Sequence, residues 1–412
     1  MQKKEKWGVL SLASIPLVMT LGNSMLIPVL PMMEKELDIS PFQSSLIITI
    51  YSIVAIILIP IAGFLSDRIG RKKVIIPSLI IAGIGGLIAG IASWLFESPF
   101  LLILIGRLLQ GVGASGASPI VLPLVGDMCK SEKDVNTGLG LIETSNTFGK
   151  VLSPILGALL ASIIWYLPFF AFPIFCLISI LLIQFIIVTP KDNKVDTSDF
   201  AFFIKKVKRI LKDEGRWLYS IFLVGAICMY ILFGMLFFLS SILEDKYGID
   251  GVTKGLILAI PLGALCLASF ITGKKLGDDK NAIKWIIFMG IVGATLSIFG
   301  ITYTDNVYIF LAALVISGIG IGIALPSLDA LITNGIEKDE RGTITSIYSS
   351  FRFVGVAIGP PVFAILMKIS HTILFLKVTV VSAIAAILVL FFIKPPKRVR
   401  TDSLFQKVKK EK

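Results

Sequence analysis

Twelve apolar runs follow one another along the chain, at about 7–31, 43–65, 74–95, 100–126, 138–164, 167–189, 217–243, 254–273, 282–303, 307–333, 343–367 and 373–393. Most reach or pass the roughly 20 residues that a helix needs to cross a bilayer. They do not alternate in segments of about ten residues, as the strands of a membrane barrel would. In lipid, a run of this length must satisfy its backbone N–H and C=O groups internally, which predicts helix. The pattern therefore predicts an all-α membrane protein with twelve transmembrane helices. Composition agrees, since 55% of the 412 residues are hydrophobic and only 16% are charged. The mean hydropathy is +0.90. A soluble domain carries about 25% charge, so a cytoplasmic enzyme is excluded. Lys3, Lys4 and Lys6 precede an apolar stretch too long for a signal-peptide core, so the first run reads as an uncleaved span.

Charge adds direction. The chain has 39 Lys and Arg against 27 Asp and Glu, a formal net charge of +12. In a soluble chain that excess would suggest nucleic acid. Here 31 of the 39 fall on the N-terminus, the even-numbered connections and the C-terminal tail. Four lie on the opposite side (Lys35, Lys246, Lys254, Lys368), and four lie within spans (Arg107, Lys150, Arg352, Lys377). Cytoplasmic loops carry the positive excess, which places both termini in the cytoplasm and leaves no call for a nucleic-acid partner. Cys129, Cys176, Cys228 and Cys266 are far apart, and the one histidine, His371, falls in a predicted loop. Neither a disulfide framework nor a metal site is suggested.

The longest connection divides the chain into an N-terminal half (1–189), a cytoplasmic linker (190–216), a C-terminal half (217–394) and a basic cytoplasmic tail (395–412). Within the linker, Phe200, Phe203, Ile204, Val207 and Leu211 recur at helical spacing opposite Lys205, Lys206, Lys208, Arg209 and Lys212. This reads as an amphipathic helix on the inner leaflet, or alternatively as a solvated linker. The halves echo one another. Gly149-Lys150-Val151-Leu152-Ser153-Pro154 in span 5 aligns with Gly355-Val356-Ala357-Ile358-Gly359-Pro360 in span 11, and Gly63 closes span 2 as Gly273 closes span 8. Duplicated units flanking a midplane site are a common plan of secondary transporters.

Connection 2–3 reads Gly63-Phe64-Leu65-Ser66-Asp67-Arg68-Ile69-Gly70-Arg71-Lys72-Lys73. It resembles motif A of the major facilitator superfamily, and span count, duplication and loop pattern extend the resemblance over the whole chain. Leu26-Ile27-Pro28-Val29-Leu30-Pro31 is similar to the end of span 1 in bacterial twelve-span drug/proton antiporters. Arg107-Leu108-Leu109-Gln110-Gly111 resembles their motif B, and Gly149 through Gly157 their motif C, associated with export. Ser153 and Ala158 stand where motif C has glycine, Lys150 lies between, and Gly277 replaces the second-half counterpart of Asp67. The resemblance implies the major facilitator fold: two pseudo-symmetric six-helix halves that alternate access and work as a monomer. Gly63, Asp67, Arg68, Gly70 and Arg71 then form a latch, with Asp67 accepting from Arg68 or Arg71 or facing the start of span 11 near Arg341-Gly342. The bland alternative is that the basic residues only fix topology. Gly149, Ser153, Pro154 and Gly157, with Gly355, Gly359 and Pro360 in span 11, read as a close-packing face with a proline bend.

Ionisable residues inside spans are costly and point to function. Glu143, Asn146 and Lys150 share one face of span 5. At helical rise Glu143 lies roughly 8 Å from the cytoplasmic end and Lys150 roughly 18 Å, near the midplane. Asp329 of span 10 sits at a depth similar to Glu143. The resemblance implies that membrane carboxylates exchange protons, with Glu143 the first candidate and Asp329 the second. Alternatives are a fixed pair of Glu143 with Lys150 or Arg107, and an Asp329 solvated at the helix end. Arg107, Arg352, Lys150, Asn146 and Asn23 are candidates for the substrate cavity, with structural pairing as the alternative for the two arginines. Three deep cations against two acids favour an anionic or neutral amphipathic substrate, such as a carboxylated or catecholate metabolite, a siderophore or an uncharged antibiotic.

The expected function is proton-coupled efflux of a small amphipathic compound, drug or metabolite, across the cell membrane. The proton gradient would be the energy source, with no cofactor. Proton-coupled uptake of a small anionic nutrient is the alternative, and a non-transporting receptor a remote one. No Walker A, HExxH or GxSxG motif occurs, so neither ATP-driven pumping nor an enzyme is indicated.

Overall fold

A computed structural model describes residues 3–129, 132–187, 200–213, 215–276, 279–304, 306–336 and 340–393. The first part of the predicted linker, the basic tail and Gly277 lie outside the described residues. Among the described residues every regular element is a helix. The first half of the chain forms α1 (Lys3–Ser24), α2 (Leu30–Leu37), α3 (Pro41–Ile69), α4 (Arg71–Leu95), α5 (Phe100–Ala117), α6 (Val121–Met128), α7 (Glu132–Ala161) and α8 (Leu167–Ile186). After α9 (Phe200–Asp213) come α10 (Gly215–Asp245), α11 (Gly251–Lys275), α12 (Lys280–Gly300), α13 (Val307–Gly335), α14 (Arg341–Met367) and α15 (His371–Phe392).

Two predicted spans are interrupted. The first bends through a 3-10 turn at Ile27–Val29 and continues to Leu37, six residues past its predicted end. Pro28 and Pro31 cannot donate backbone hydrogen bonds, so the ladder breaks there and restarts. The fourth stops at Ala117 and resumes at Val121, around Pro119, for the same reason. His371, expected in a loop, is the first residue of α15.

Helix ends follow local chemistry. Ser40 and Gln43 form a capping box before α3, with the Gln43 N–H donating to Ser40 Oγ at 3.3 Å and the Ser40 N–H to Gln43 Oε1 at 2.9 Å. Asn306 Oδ1 accepts from the N–H groups of Tyr308 and Ile309 at the start of α13. Between α3 and α4 the chain turns in one residue, Gly70, at φ +101°, a conformation that a side chain would strain.

Among the described residues, eleven helical stretches are long and apolar enough to cross a membrane. The predicted fifth span, α7, is 30 residues long but falls outside that set, because Glu143, Thr144, Ser145, Asn146, Thr147 and Lys150 lower its hydropathy. It packs lengthwise against α1 and α11. Small residues set the closest approaches. A Cβ at Gly85 of α4 would lie 2.5 Å from the Gly106 carbonyl oxygen of α5. One at Gly290 of α12 would lie 2.8 Å from the Gly320 carbonyl oxygen of α13, the equivalent place in the second half. The predicted amphipathic helix exists as α9. Its Ile210 joins the core of the second half, while Lys205, Lys208 and Lys212 are exposed. The side chains of Phe200, Phe203 and Lys206 lie outside the described residues.

Candidate functional site

The two halves meet along α3 against α14 and α7 against α11. Between them lies a cavity of about 170 Å³. Its walls come from α1, α3, α5–α7, α10 and α14, and include Asn23, Tyr51, Glu143, Lys150, Phe233 and Arg352. One end of the bundle carries Arg68, Arg71, Lys72 and Lys73; this is the basic end. At the opposite end the halves are joined. Lys35 Nζ lies 2.6 Å from Glu244 Oε1, and Ser240 Oγ donates to the Ile27 carbonyl at 3.0 Å. Gly255 of α11 sits so close to α7 that a Cβ there would lie 2.5 Å from the Pro154 carbonyl oxygen and 2.8 Å from Ala158 Cβ. Ser118, Pro119, Leu122 and Glu143 carry the cavity wall toward the basic end.

Arg107 is not in that wall, contrary to expectation. It is fully buried, and four of the five guanidinium N–H groups have acceptors. Nε donates to the Ile47 carbonyl at 2.7 Å, Nη1 to the Gly22 carbonyl at 3.0 Å and to Gln110 Oε1, and Nη2 to Asn23 Oδ1 at 2.7 Å. The Tyr51 ring lies 4.6 Å below the cation. Arg107 therefore staples α1, α3 and α5 from behind the cavity. Asn23 does line the cavity, but its carbonyl oxygen is held by Arg107.

The span 5 stripe meets at the cavity as the spacing predicts. Glu143, Asn146 and Lys150 all face it, and Asn146 Oδ1 accepts from Thr20 Oγ1 at 2.7 Å. Lys150 is only 7% exposed, and its Nζ has no hydrogen-bond partner. Arg352 faces Lys150's cavity from α14, with its guanidinium 5.7 Å from the Tyr348 ring centroid. Asp329 of α13 does not line this cavity, yet its charge acts on both Lys150 and Arg352. Two cations, Lys150 and Arg352, and one carboxylate, Glu143, thus face the cavity directly.

The packing residues work inside each half. A Cβ at Gly149 would lie 3.2 Å from Thr20 Cβ, Ser153 Oγ reaches the Thr20 carbonyl at 3.4 Å, and Gly157 abuts the Met25 carbonyl, all on the chain of α1 and the turn after it. Gly355 abuts the Ala226 carbonyl and Gly359 the Tyr230 carbonyl, both on α10. The contact between halves instead uses Pro154 and Ala158 against Gly255. Pro154 and Pro360 lie within unbroken helices.

At the basic end, Asp67 pairs with Arg71 at 3.2 Å. Arg71 also pairs with Asp127 at the end of α6, a partner that the sequence reading missed. Arg68 stacks over Phe64 at 5.3 Å. Gly63 approaches α14, where a Cβ would lie 3.3 Å from Ser346 Oγ. Asp67, Gly342, Thr343 and Ser346 border one small cavity of about 220 Å³. Tyr51, Met229, Phe233 and Phe353 in the central wall were also missed, because aromatic and Met residues in apolar helices carry no positional signal. Lys254, counted among the outer loop charges, is buried and pairs with Glu244 at 2.5 Å.

A bundle of membrane-length helices around a charged cavity shared by two halves defines a multi-pass membrane transporter. The model of the Major Facilitator Superfamily matches residues 12–360 and 237–411, and the chain belongs to that family. The "Bacillibactin exporter" of Bacillus subtilis (strain 168) is 54% identical over 391 residues, covering 95% of this chain and 97% of the relative. The "Quinolone resistance protein NorA" of Staphylococcus aureus (strain MRSA252) is 24% identical, covering 82% and 84% respectively. The human organic anion transporter MFSD10 (TETRAN) shares the fold at a TM-score of 0.75, with 14% identity over 94% of this chain and all of that one.

Proposed function

We propose that the protein is a twelve-span proton-coupled exporter of a small compound. Bacillibactin, the substrate named for the 54%-identical relative, is the first candidate. The observation that carries this reading is the pairing of that identity with a cavity where Glu143, Lys150 and Arg352 converge between the halves. In this reading α7 is the twelfth span and the basic end faces the cytoplasm, in keeping with the positive-inside rule. The cavity then loads from the cytoplasm while the Lys35–Glu244 end holds the outer side shut. Glu143, with Asp329 behind it, carries the proton. A carboxylate that alternates between a cationic neighbourhood and a dry one takes up and gives back a proton. The Asp67–Arg71–Asp127 cluster latches the cytoplasmic side in the other state. No cofactor is required, and one chain contains the whole pathway.

Inside-out vesicles with an imposed proton gradient test this. Bacillibactin should accumulate in vesicles containing the protein, collapse of the gradient should stop it, and Glu143→Gln should remove the gradient dependence. Full gradient-driven accumulation by Glu143→Gln would show that Glu143 is not the carrier. Accumulation only in right-side-out vesicles would mean uptake instead. Quinolone efflux without bacillibactin movement would place the activity with the drug-exporting relatives.

A further inference from the structure

Lys150 differs from every other buried cation in the described bundle. Arg107 donates to two carbonyls and two side chains, and Lys254 is paired with Glu244. Among the described residues, five buried side-chain polar atoms lack a hydrogen-bond partner, and Lys150 Nζ is the charged one. An ammonium kept out of water without a partner is expensive, far more so than a lone hydroxyl. The neighbouring acceptors on its own helix are taken or turned away. Asn146 Oδ1, one turn earlier, accepts from Thr20. The Pro154 carbonyl, one turn later, faces Gly255. Lys150 borders both the main cavity and the small apolar recess beyond it, which places it at the closed floor.

Arg352 looks into the same cavity from the opposite half. Two like charges thus face one cavity from α7 and α14, and the Glu143 and Asp329 carboxylates offset their repulsion only in part. Tyr51, Phe233 and Phe353 supply apolar wall around them. We propose that Lys150 and Arg352 form a split anion site, one cation from each half, and that the transported compound is an organic anion that places an ionised acidic oxygen between them. A carboxylate or ionised phenol has lone pairs for both donors and makes charge-assisted hydrogen bonds to each. Its apolar body lies against the aromatic wall. Bound there, it replaces repulsion between the halves with a bridge, so a loaded cavity favours approach of α7 and α14. The inference rests on the transport reading only in taking the central cavity as the substrate site.

The test is binding by the purified full-length protein, with 2-naphthoate and its neutral isostere 2-naphthamide titrated by calorimetry. The wild type should bind the carboxylate about tenfold more tightly than the amide. Lys150→Gln and Arg352→Gln should each abolish that preference while leaving amide affinity and unfolding temperature unchanged, and Lys150→Arg should restore it. An unchanged carboxylate preference in Lys150→Gln overturns the proposal. So does an equal loss of both probes with a lowered unfolding temperature, which marks Lys150 as a structural counter-ion. Rescue of that loss by adding Glu143→Gln would identify Glu143 as its partner. Failure of the export reading looks different: carboxylate preference would persist in a protein that moves no bacillibactin in vesicles.

Discussion

Arg107 on α5 and Lys150 on α7 belong to the same half, on helices that both pack against α1, and both are buried and cationic, yet they are opposites. Arg107 is enclosed by acceptors that α1, α3 and α5 bring to it, and it is sealed away from the cavity. Lys150 is held by apolar packing at the cavity floor and has no acceptor. A charge inside a membrane bundle is therefore not functional by depth alone. What separates structure from chemistry is whether the fold already answers the charge.

That contrast can be broken by substitution, and the largest effect belongs to Arg107. Arg107→Leu leaves two buried carbonyls and two polar side chains without their donor, which should cost about 3 kcal/mol or more. A sharp fall in the unfolding temperature of the detergent-solubilised protein is expected. A stable variant that has lost only substrate binding would erase the distinction between the two sites. For Lys150→Met the expected pattern reverses. Removing an unanswered buried charge leaves the unfolding temperature level or higher, while transport of an anionic substrate drops about tenfold. Asn23→Ala removes one arm of the Arg107 cage and one polar group of the cavity. A loss of about 1–2 kcal/mol in stability is expected, with a smaller effect on transport. The least effect on stability falls to Lys35→Gln, because Lys35 is 62% exposed and Glu244 keeps Lys254 as a partner: a change within about 0.5 kcal/mol. Its readout is the accessibility of a cysteine introduced at Ile249, near this pair, which should rise.

The gross architecture was legible because lipid enforces it. Apolar runs, basic connections and the Gly63–Lys73 motif all report constraints that act locally along the chain. Pro28 and Pro119 likewise marked where spans 1 and 4 would break, although the breaks themselves were not foreseen. Helix rotation was not legible. Whether Arg107 faced the cavity depended on the carbonyls of Gly22 and Ile47, which are on other helices and invisible in side-chain pattern. Lys254 read as a loop charge because it follows Asp250-Gly251, yet the first turn of α11 turns it inward to Glu244. The Gly149–Gly157 spacing named a packing face but no partner, and the structure sets it against α1 and the turn after it. Small residues predict closeness without saying to what.

The Glu244 carboxylate also bears on how the outer end could part. Its two oxygens are divided between Lys254 of its own half, 3% exposed, and Lys35 of the other, 62% exposed. If the halves part there, as the proposed transport requires, Lys35 enters water and Glu244 keeps its resident counter-ion, so neither half is left with an unanswered charge. External salt screens the solvated member of the triad and leaves the buried one almost untouched. Ionic strength should therefore tune that parting without loosening the helices that form this end.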